Sequence, residues 1–215
     1  SNPQLTPFAP KQARTREVLV RILDATRRLL EDRRFEDAGV SDIALLAGTS
    51  VGGFYRRFRD KASLLQHFHQ DFFARGRDSL EELLSVERWE GRALSEVIDA
   101  LAQTLVATYR AQRGLLRALL LYARNHPDSG FHARQEEFDE LVFTRLQALA
   151  LRRPSDINHP QPEVALRFAL VWLGGATEQL ILFAPESSFA WSLSTEALAR
   201  ELSLGVKAYL EAPRR

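Results

Sequence analysis

Residues 49–58 read TSVGGFYRRF, and this stretch constrains the fold more than any other in the chain. Two adjacent glycines sit between segments whose apolar spacing is helical on both sides. Each glycine costs a helix interior about 1 kcal/mol relative to alanine, so the pair marks the start of a short helix rather than the middle of a long one. Upstream, from Thr15, the residues Val18, Ile22, Ala25 and Leu29 fall at helical spacing, widened by Leu19, Leu23 and Leu30. That helix is expected to stop near Arg33–Arg34, before a turn around Asp37–Gly39. Ser41 is the expected N-cap of a second helix, with Asp42 behind it at the positive end of the dipole. Ile43, Ala44, Leu46 and Ala47 then predict two turns ending at Gly48, the residue type favoured after a C-terminus. Ser50 caps a third helix, short, with Phe54 and Phe58 one turn apart on its inner side. Asp60 caps a fourth, with Leu64, Leu65, Phe68 and Phe72 facing inward. Three helices over 14–59, two of them short and joined by a tight glycine turn, give the helix-turn-helix layout.

Beyond residue 85 the periodicity predicts helices at about 91–111, 113–124, 130–151, 163–184 and 195–212. Polar, proline-bearing loops at 152–162 and 185–194 separate the later ones. The expected fold class is all-α: an N-terminal three-helix helix-turn-helix domain at 13–59, then a helical domain at 60–215, with a helix at 60–84 shared between them. Residues 1–12, with Pro3, Pro7 and Pro10, read as a flexible leader; no methionine occurs anywhere, and Ser1 and Asn2 carry no weight.

Charge is unevenly distributed. Residues 1–75 hold 13 Lys+Arg against 9 Asp+Glu, a balance of +4, while the other 140 residues stand at −3. A basic N-terminal third hints at a polyanionic partner at that end. There is no cysteine, hence no disulfide framework and no thiolate metal site. No signal-peptide pattern is present, and no apolar run approaches the ~18–20 residues that span a bilayer, so the expected location is cytoplasmic, without membrane association.

A helix entering the major groove brings its N-terminal end close to phosphates and base edges. Glycines at 52 and 53 remove side chains that would hold the backbone away. Thr49 and Ser50 offer hydroxyls. Tyr55, one residue on from the inward Phe54, points outward. Arg56 and Arg57 suit phosphate or guanine O6/N7, and Lys61 adds a phosphate contact. The bland alternative is a simple turn with the arginines in solvent. A phosphate-cradling nucleotide loop fits less well, since it needs a preceding strand and a lysine in register.

The stretch VSDIALLAGTSVGGFYRRFRDKASLL, residues 40–65, resembles the N-terminal domain of the TetR family of bacterial transcriptional regulators. The matching positions are Ser41, Ile43–Ala44, Ala47–Gly48, Ser50-Val51-Gly52, Phe54–Tyr55, Phe58, and Lys61 with Leu64–Leu65. Two positions depart from the family pattern: Val51 stands where lysine or another polar residue is common, and Arg57 where histidine is frequent. The resemblance implies a ligand-responsive DNA-binding regulator, a repressor, with double-stranded operator DNA as its partner. The DNA-contacting residues would be Ser41, Thr49, Ser50, Val51, Gly52, Gly53, Tyr55, Arg56, Arg57 and Lys61. The alternative is an all-helical ligand-binding or protein-interaction module whose helix-turn-helix is vestigial.

The resemblance also implies an effector pocket in the second domain and a homodimer formed by the last two helices. Small residues Gly174, Gly175 and Ala176 inside an apolar helix would let a partner helix approach, with Leu198, Leu202, Val206 and Tyr209 as the facing stripe; each could equally be core within one subunit. Candidates for lining a pocket for a small, largely apolar effector are Tyr109, Leu116, Leu120, Phe131, Phe138, Phe143, Trp172 and Glu178, the last because a carboxylate in an apolar helix needs a partner. No cofactor, catalytic constellation or metal site is expected. HFHQD at 67–71 looks like a metal motif, but only His67 and Asp71 share a helical side, and these residues read as surface.

Overall fold

The computed structural model describes residues 11–32, 35 and 37–212, all helix, turn or loop with no strand among them. The expected leader lies outside the described residues except for Lys11 and Gln12, which are helical. Two compact units divide the chain between His67 and Phe68.

The first unit holds α1 (Lys11–Asp32), α2 (Val40–Leu46), α3 (Val51–Tyr55) and the start of α4 (Lys61–Leu83). The expected end of α1 at Arg33–Arg34 lies outside the described residues. Ile22, Ala25 and Leu30 are buried, as the spacing requires, together with Thr26, whose hydroxyl donates to the Ile22 carbonyl at 2.8 Å. The N-cap of α2 is Gly39, not Ser41: the Asp42 carboxylate accepts from the Gly39 N–H at 3.0 Å, which places Ser41 one residue inside the helix and exposed. At its other end Gly48 takes φ +60°, the left-handed conformation that glycine adopts without strain. The Thr49 N–H then returns to the Ala44 carbonyl at 2.9 Å and the Gly48 N–H to Leu45 at 3.1 Å, closing the helix in a Schellman motif. Arg21 Nε of α1 donates to the carbonyl of Ala47 at 3.0 Å. Asp60 caps α4: its carboxylate accepts from the Ser63 N–H at 2.7 Å while the Ser63 hydroxyl oxygen accepts from the Asp60 N–H at 3.1 Å. The Ser63 N–H, the largest cause, holds the Asp60 carboxyl below the usual carboxylate range.

The second unit contains the rest of α4, then α5 (Leu94–Ala111), α6 (Arg113–Asn125), α7 (Phe131–Leu151), α8 (Pro162–Glu178), the one-turn α9 (Phe189–Ser192) and α10 (Thr195–Leu210). The predicted helices fall within a few residues of these, but α9 was expected to be loop. One core of leucine, valine, alanine and aromatic side chains runs through it from Leu80 to Leu210. α8 runs into a π-helical turn at Gln179–Phe183, a geometry that leaves carbonyls free for other donors. Arg113 uses one, donating to Ile181 O at 2.9 Å, and pairs with Glu186 at 2.7 Å. Arg110 holds Ala190 O at 3.0 Å and Leu193 O at 2.9 Å. The Trp191 ring stacks under both guanidinium groups, at 5.3 and 4.8 Å, so two arginines fix the connection between α8 and α10.

The segment Pro162–Phe183 is, by length and composition, apolar enough to cross a membrane, which corrects the sequence expectation that no such run exists. Its two faces differ: Ala165, Leu166, Ala169 and Leu173 are buried in the core while the opposite side carries Arg167 in ion pairs with Glu140 and Glu163.

Candidate nucleic-acid interface

α3 is short because both ends are fixed by its own sequence. Ser50 is the N-cap, its hydroxyl oxygen accepting from the Gly53 N–H at 2.9 Å. At the other end Arg57 Nη1 donates to the Gly53 carbonyl at 2.9 Å. Phe54 is fully buried and stacks at 5.6 Å on Phe58, which meets the His67 ring at 5.8 Å. This inner side fixes the rotation of the helix. Tyr55, edge-on to Phe54 at 5.5 Å, is therefore turned out and 54% exposed, and Val51, one turn earlier, is 43% exposed. Gly52 and Arg56 are exposed between and beside them.

The two glycines have different jobs. A Cβ on Gly53 would stand 2.3 Å from Thr49 Oγ1, so Gly53 is buried against its own turn. A Cβ on Gly52 would meet only Ser50 Oγ, at 3.9 Å. No contact among the described residues requires glycine at 52. Gly53→Ala is expected to cost about 1–3 kcal/mol through displacement of Thr49, whereas Gly52→Ala stabilises by up to about 1 kcal/mol; urea unfolding of the two variants against the parent checks the opposite signs.

Of the ten residues expected to contact DNA, Ser41, Ser50, Val51, Gly52, Tyr55 and Arg56 are exposed, and Thr49 is half-buried. Gly53 is buried and offers no outward group. Arg57 and Lys61 are partly committed inward. The Lys61 ammonium donates to the Phe35 carbonyl at 2.5 Å and lies 4.5 Å over the Phe35 ring. Sequence reasoning missed two large apolar groups on α2, Leu45 at 82% and Leu46 at 47% exposure; of the apolar residues expected to pack that helix, Ile43, Ala44 and Ala47 are the buried ones.

In the second unit the expected pocket residues separate. Leu116 and Phe143 are buried in the core, with Tyr109, Leu120 and Phe138 packed partly buried against it. Tyr109 and Glu178 come near one another: burial, then the carboxylates of Glu178 and Asp139, push the Tyr109 phenol up to about 12. Burial also raises the Glu178 carboxyl, partly offset by Arg124, with which it pairs at 2.7 Å. Phe131 lies elsewhere, stacked on His69 at 3.9 Å and tilted against Tyr122 at 5.1 Å. Trp172 is 43% exposed on the outer side of α8, where its ring covers Gly205 of α10 at 3.0 Å from a built Cβ, so it faces away from the core. None of these residues lines the 590 Å³ cleft between the start of α5 and the end of α10, whose walls include Ser95, Asp156, Asn158 and Lys207.

The expected dimer stripe on α10 also needs correction. Leu198 and Val206 are 3% and 4% exposed, buried in the chain's own core, and only Leu202 and Tyr209 stay partly accessible. The outward apolar groups are instead Val164, Phe168, Val171 and Trp172 on α8, at spacings of four, three and one residue, with Leu204 on α10. Apart from its own helix backbone and chain neighbours, a Cβ on Gly174 or Gly175 would meet no described atom within 4 Å, and Ala176 is half-buried.

HFHQD is not all surface. His69 is 5% exposed between Phe73 and Phe131, and Asp71 pairs with Arg75 at 3.0 Å. Desolvation, then Arg134, lowers the His69 pKa to about 4, against a raising hydrogen bond to the Phe131 backbone. A base with a depressed folded pKa binds its proton first in the unfolded state, so stability falls as pH drops below ~6.5 and flattens near the folded value. Between pH 7 and 4.5 the His69→Phe variant is expected to lose about 2 kcal/mol less than the parent, read by urea unfolding at both pH values.

Residues 22–68 match the family model for bacterial regulatory proteins of the tetR family. No curated protein matches the sequence significantly. Among solved structures, a TetR transcription regulator from Haloarcula marismortui is 22% identical with a TM-score of 0.65, over 95% of this chain and 100% of the other. The TetR family regulator PfmR from Thermus thermophilus is 16% identical at 0.66, over 91% and 100%. The regulator FadR from Bacillus subtilis, solved with stearoyl-CoA, is 14% identical at 0.65, over 91% and 100%. At these identities the likeness is one of fold. Residues 22–68 thus match the helix-turn-helix of the TetR family, and the chain as a whole shares the fold of these regulators.

Proposed function

We propose that this chain, a TetR-family regulator, works as a homodimeric repressor that holds operator DNA through α3 and releases it when a small, largely apolar effector binds the second unit. The observation that carries the DNA reading is the division of α3 into two sides. Phe54 and Phe58 lock one side into the first unit, and Val51, Gly52, Tyr55 and Arg56 stand exposed on the other. Ser41 and Ser50 add exposed hydroxyls, and Thr49 a half-buried one. Arg56 supplies a free-standing charge for phosphate or guanine. Gly52, which no described contact requires, keeps the surface low where a duplex would lie. Gly52→Ala should therefore weaken duplex binding while stabilising the fold.

The unit at 1–67 is the DNA-binding domain in this reading, and 68–215 holds the effector and the partner subunit. The outward stripe of α8 with Leu204 of α10 is the dimer surface, and the glycines at 174 and 175 let the partner helix come close. Tyr109, Leu120 and Phe138, partly buried against the core, and Glu178 are the residues assigned to the effector pocket in this reading. The structure solved with stearoyl-CoA, the Bacillus subtilis regulator, motivates an effector with a long apolar chain. A location in the cytoplasm follows from a DNA target. α4, continuous across the division at 67/68, is the covalent link through which effector occupancy would reach α3; such coupling is typically ~1–3 kcal/mol.

Footprinting the protein on DNA flanking its own gene, with and without a panel of acyl-CoA thioesters and of uncharged apolar compounds, tests both halves. The expected result is a protected, two-fold-symmetric site that is lost with one class of compound. A chain that protects nothing yet still binds such a compound would favour a ligand-binding module with a vestigial helix-turn-helix.

A further inference from the structure

Given α3 as the DNA-facing helix, we propose that Val51 reads the C5-methyl group of a thymine and so specifies an A·T pair at its position in each half-site. Several polar groups around α3 are already engaged within the chain. Ser50 Oγ accepts from the Gly53 N–H, and Arg57 Nη1 donates to the Gly53 carbonyl. Thr49 Oγ1 fills the space beside Gly53 Cα, where a Cβ would stand 2.3 Å away. What α3 itself turns outward is Val51, Gly52, Tyr55 and, at its C-terminal end, Arg56.

Val51 and Tyr55 are one turn apart and share a side, 43% and 54% exposed. The residue beside Val51 is Gly52, which has no side chain to shield the isopropyl group. This group has no hydrogen-bonding atom. Pressed against N7, O6, O4 or an exocyclic amine, it would leave a donor or acceptor desolvated and unpaired, which is unfavourable. The major groove presents a single apolar group among the four bases, the thymine methyl. Val51 therefore discriminates by shape and desolvation, while Tyr55 and Arg56 carry the polar contacts.

The full chain is first used to enrich duplexes from a random-sequence library. Each dT of the best duplex is then replaced in turn by dU, which removes only the methyl group, and affinities are measured by fluorescence anisotropy. One dT per half-site should weaken binding of the parent about fourfold on replacement, the worth of one buried methyl. The Val51→Ala variant should be indifferent to that same replacement. Identical dU profiles for parent and variant would overturn the assignment to Val51, and so would a parent insensitive to every replacement. Enrichment of no sequence at all is a different failure, since it removes the DNA-reading role of α3 and this assignment with it.

Discussion

Val171→Asp is expected to leave a folded monomer that has lost tight operator binding. Val171 is 73% exposed in the single chain, between Phe168 and Trp172 at 55% and 43%, so aspartate there harms nothing in the subunit itself. In a dimer built on this stripe each carboxylate would be buried against apolar side chains of the partner, and by symmetry the penalty falls twice. Burying an unpaired carboxylate costs several kcal/mol, enough to weaken association by at least a hundredfold. Two linked half-site contacts then become independent, and avidity of the order of 10²–10⁴ disappears. Sedimentation velocity gives the mass and anisotropy the affinity. A variant that stays dimeric would move the interface off α8.

Phe54→Ala should release the first unit while sparing the second. Phe54 is fully buried and contacts Tyr55 and Phe58 at 5.5 and 5.6 Å. Truncating a buried phenylalanine to alanine costs about 3–5 kcal/mol, against a total of ~5–15 for a typical domain. Amide exchange followed by mass spectrometry should show peptides from α2 and α3 exchanging roughly a hundredfold faster or more, with α5, α8 and α10 unchanged. Unaltered protection in α3 would mean that Phe54 does not set its orientation.

What the sequence made legible was local. Helix limits came from apolar spacing and from caps that act within four residues: Ser50 on Gly53, Asp60 with Ser63, Gly48 at positive φ. The inward Phe54 and outward Tyr55 followed from helical phase alone. Apart from the N-cap of α2 and the turn of Arg57 back to Gly53, the readings that changed depended on neighbours far along the chain. α8 is apolar nearly all round, so periodicity could not decide that Leu166 and Leu173 face the core and Phe168 and Trp172 face out. Leu198 and Val206 looked like a partner stripe because nothing local shows that α5 already packs against them. Arg57 and Lys61 turned inward to carbonyls of Gly53 and Phe35, of which the second lies 26 residues away. His69 is buried by Phe131, on a helix that spacing alone does not bring near it. The paired glycines were legible as a turn, but the separate need at 53 and freedom at 52 required the position of Thr49.

Sequence-specific DNA binding through α3 is tested most directly by the affinity of the full chain for its library-selected duplex and for a scrambled duplex of equal length, each measured between about 50 and 200 mM salt. The selected duplex should bind at least ~10³-fold tighter than the scrambled one. Affinity should fall steeply with salt, and Arg56→Ala should weaken the selected duplex about 10- to 100-fold, the worth of one good base or phosphate contact. Equal affinity for the two duplexes, unchanged by Arg56→Ala, would contradict sequence-specific binding through α3.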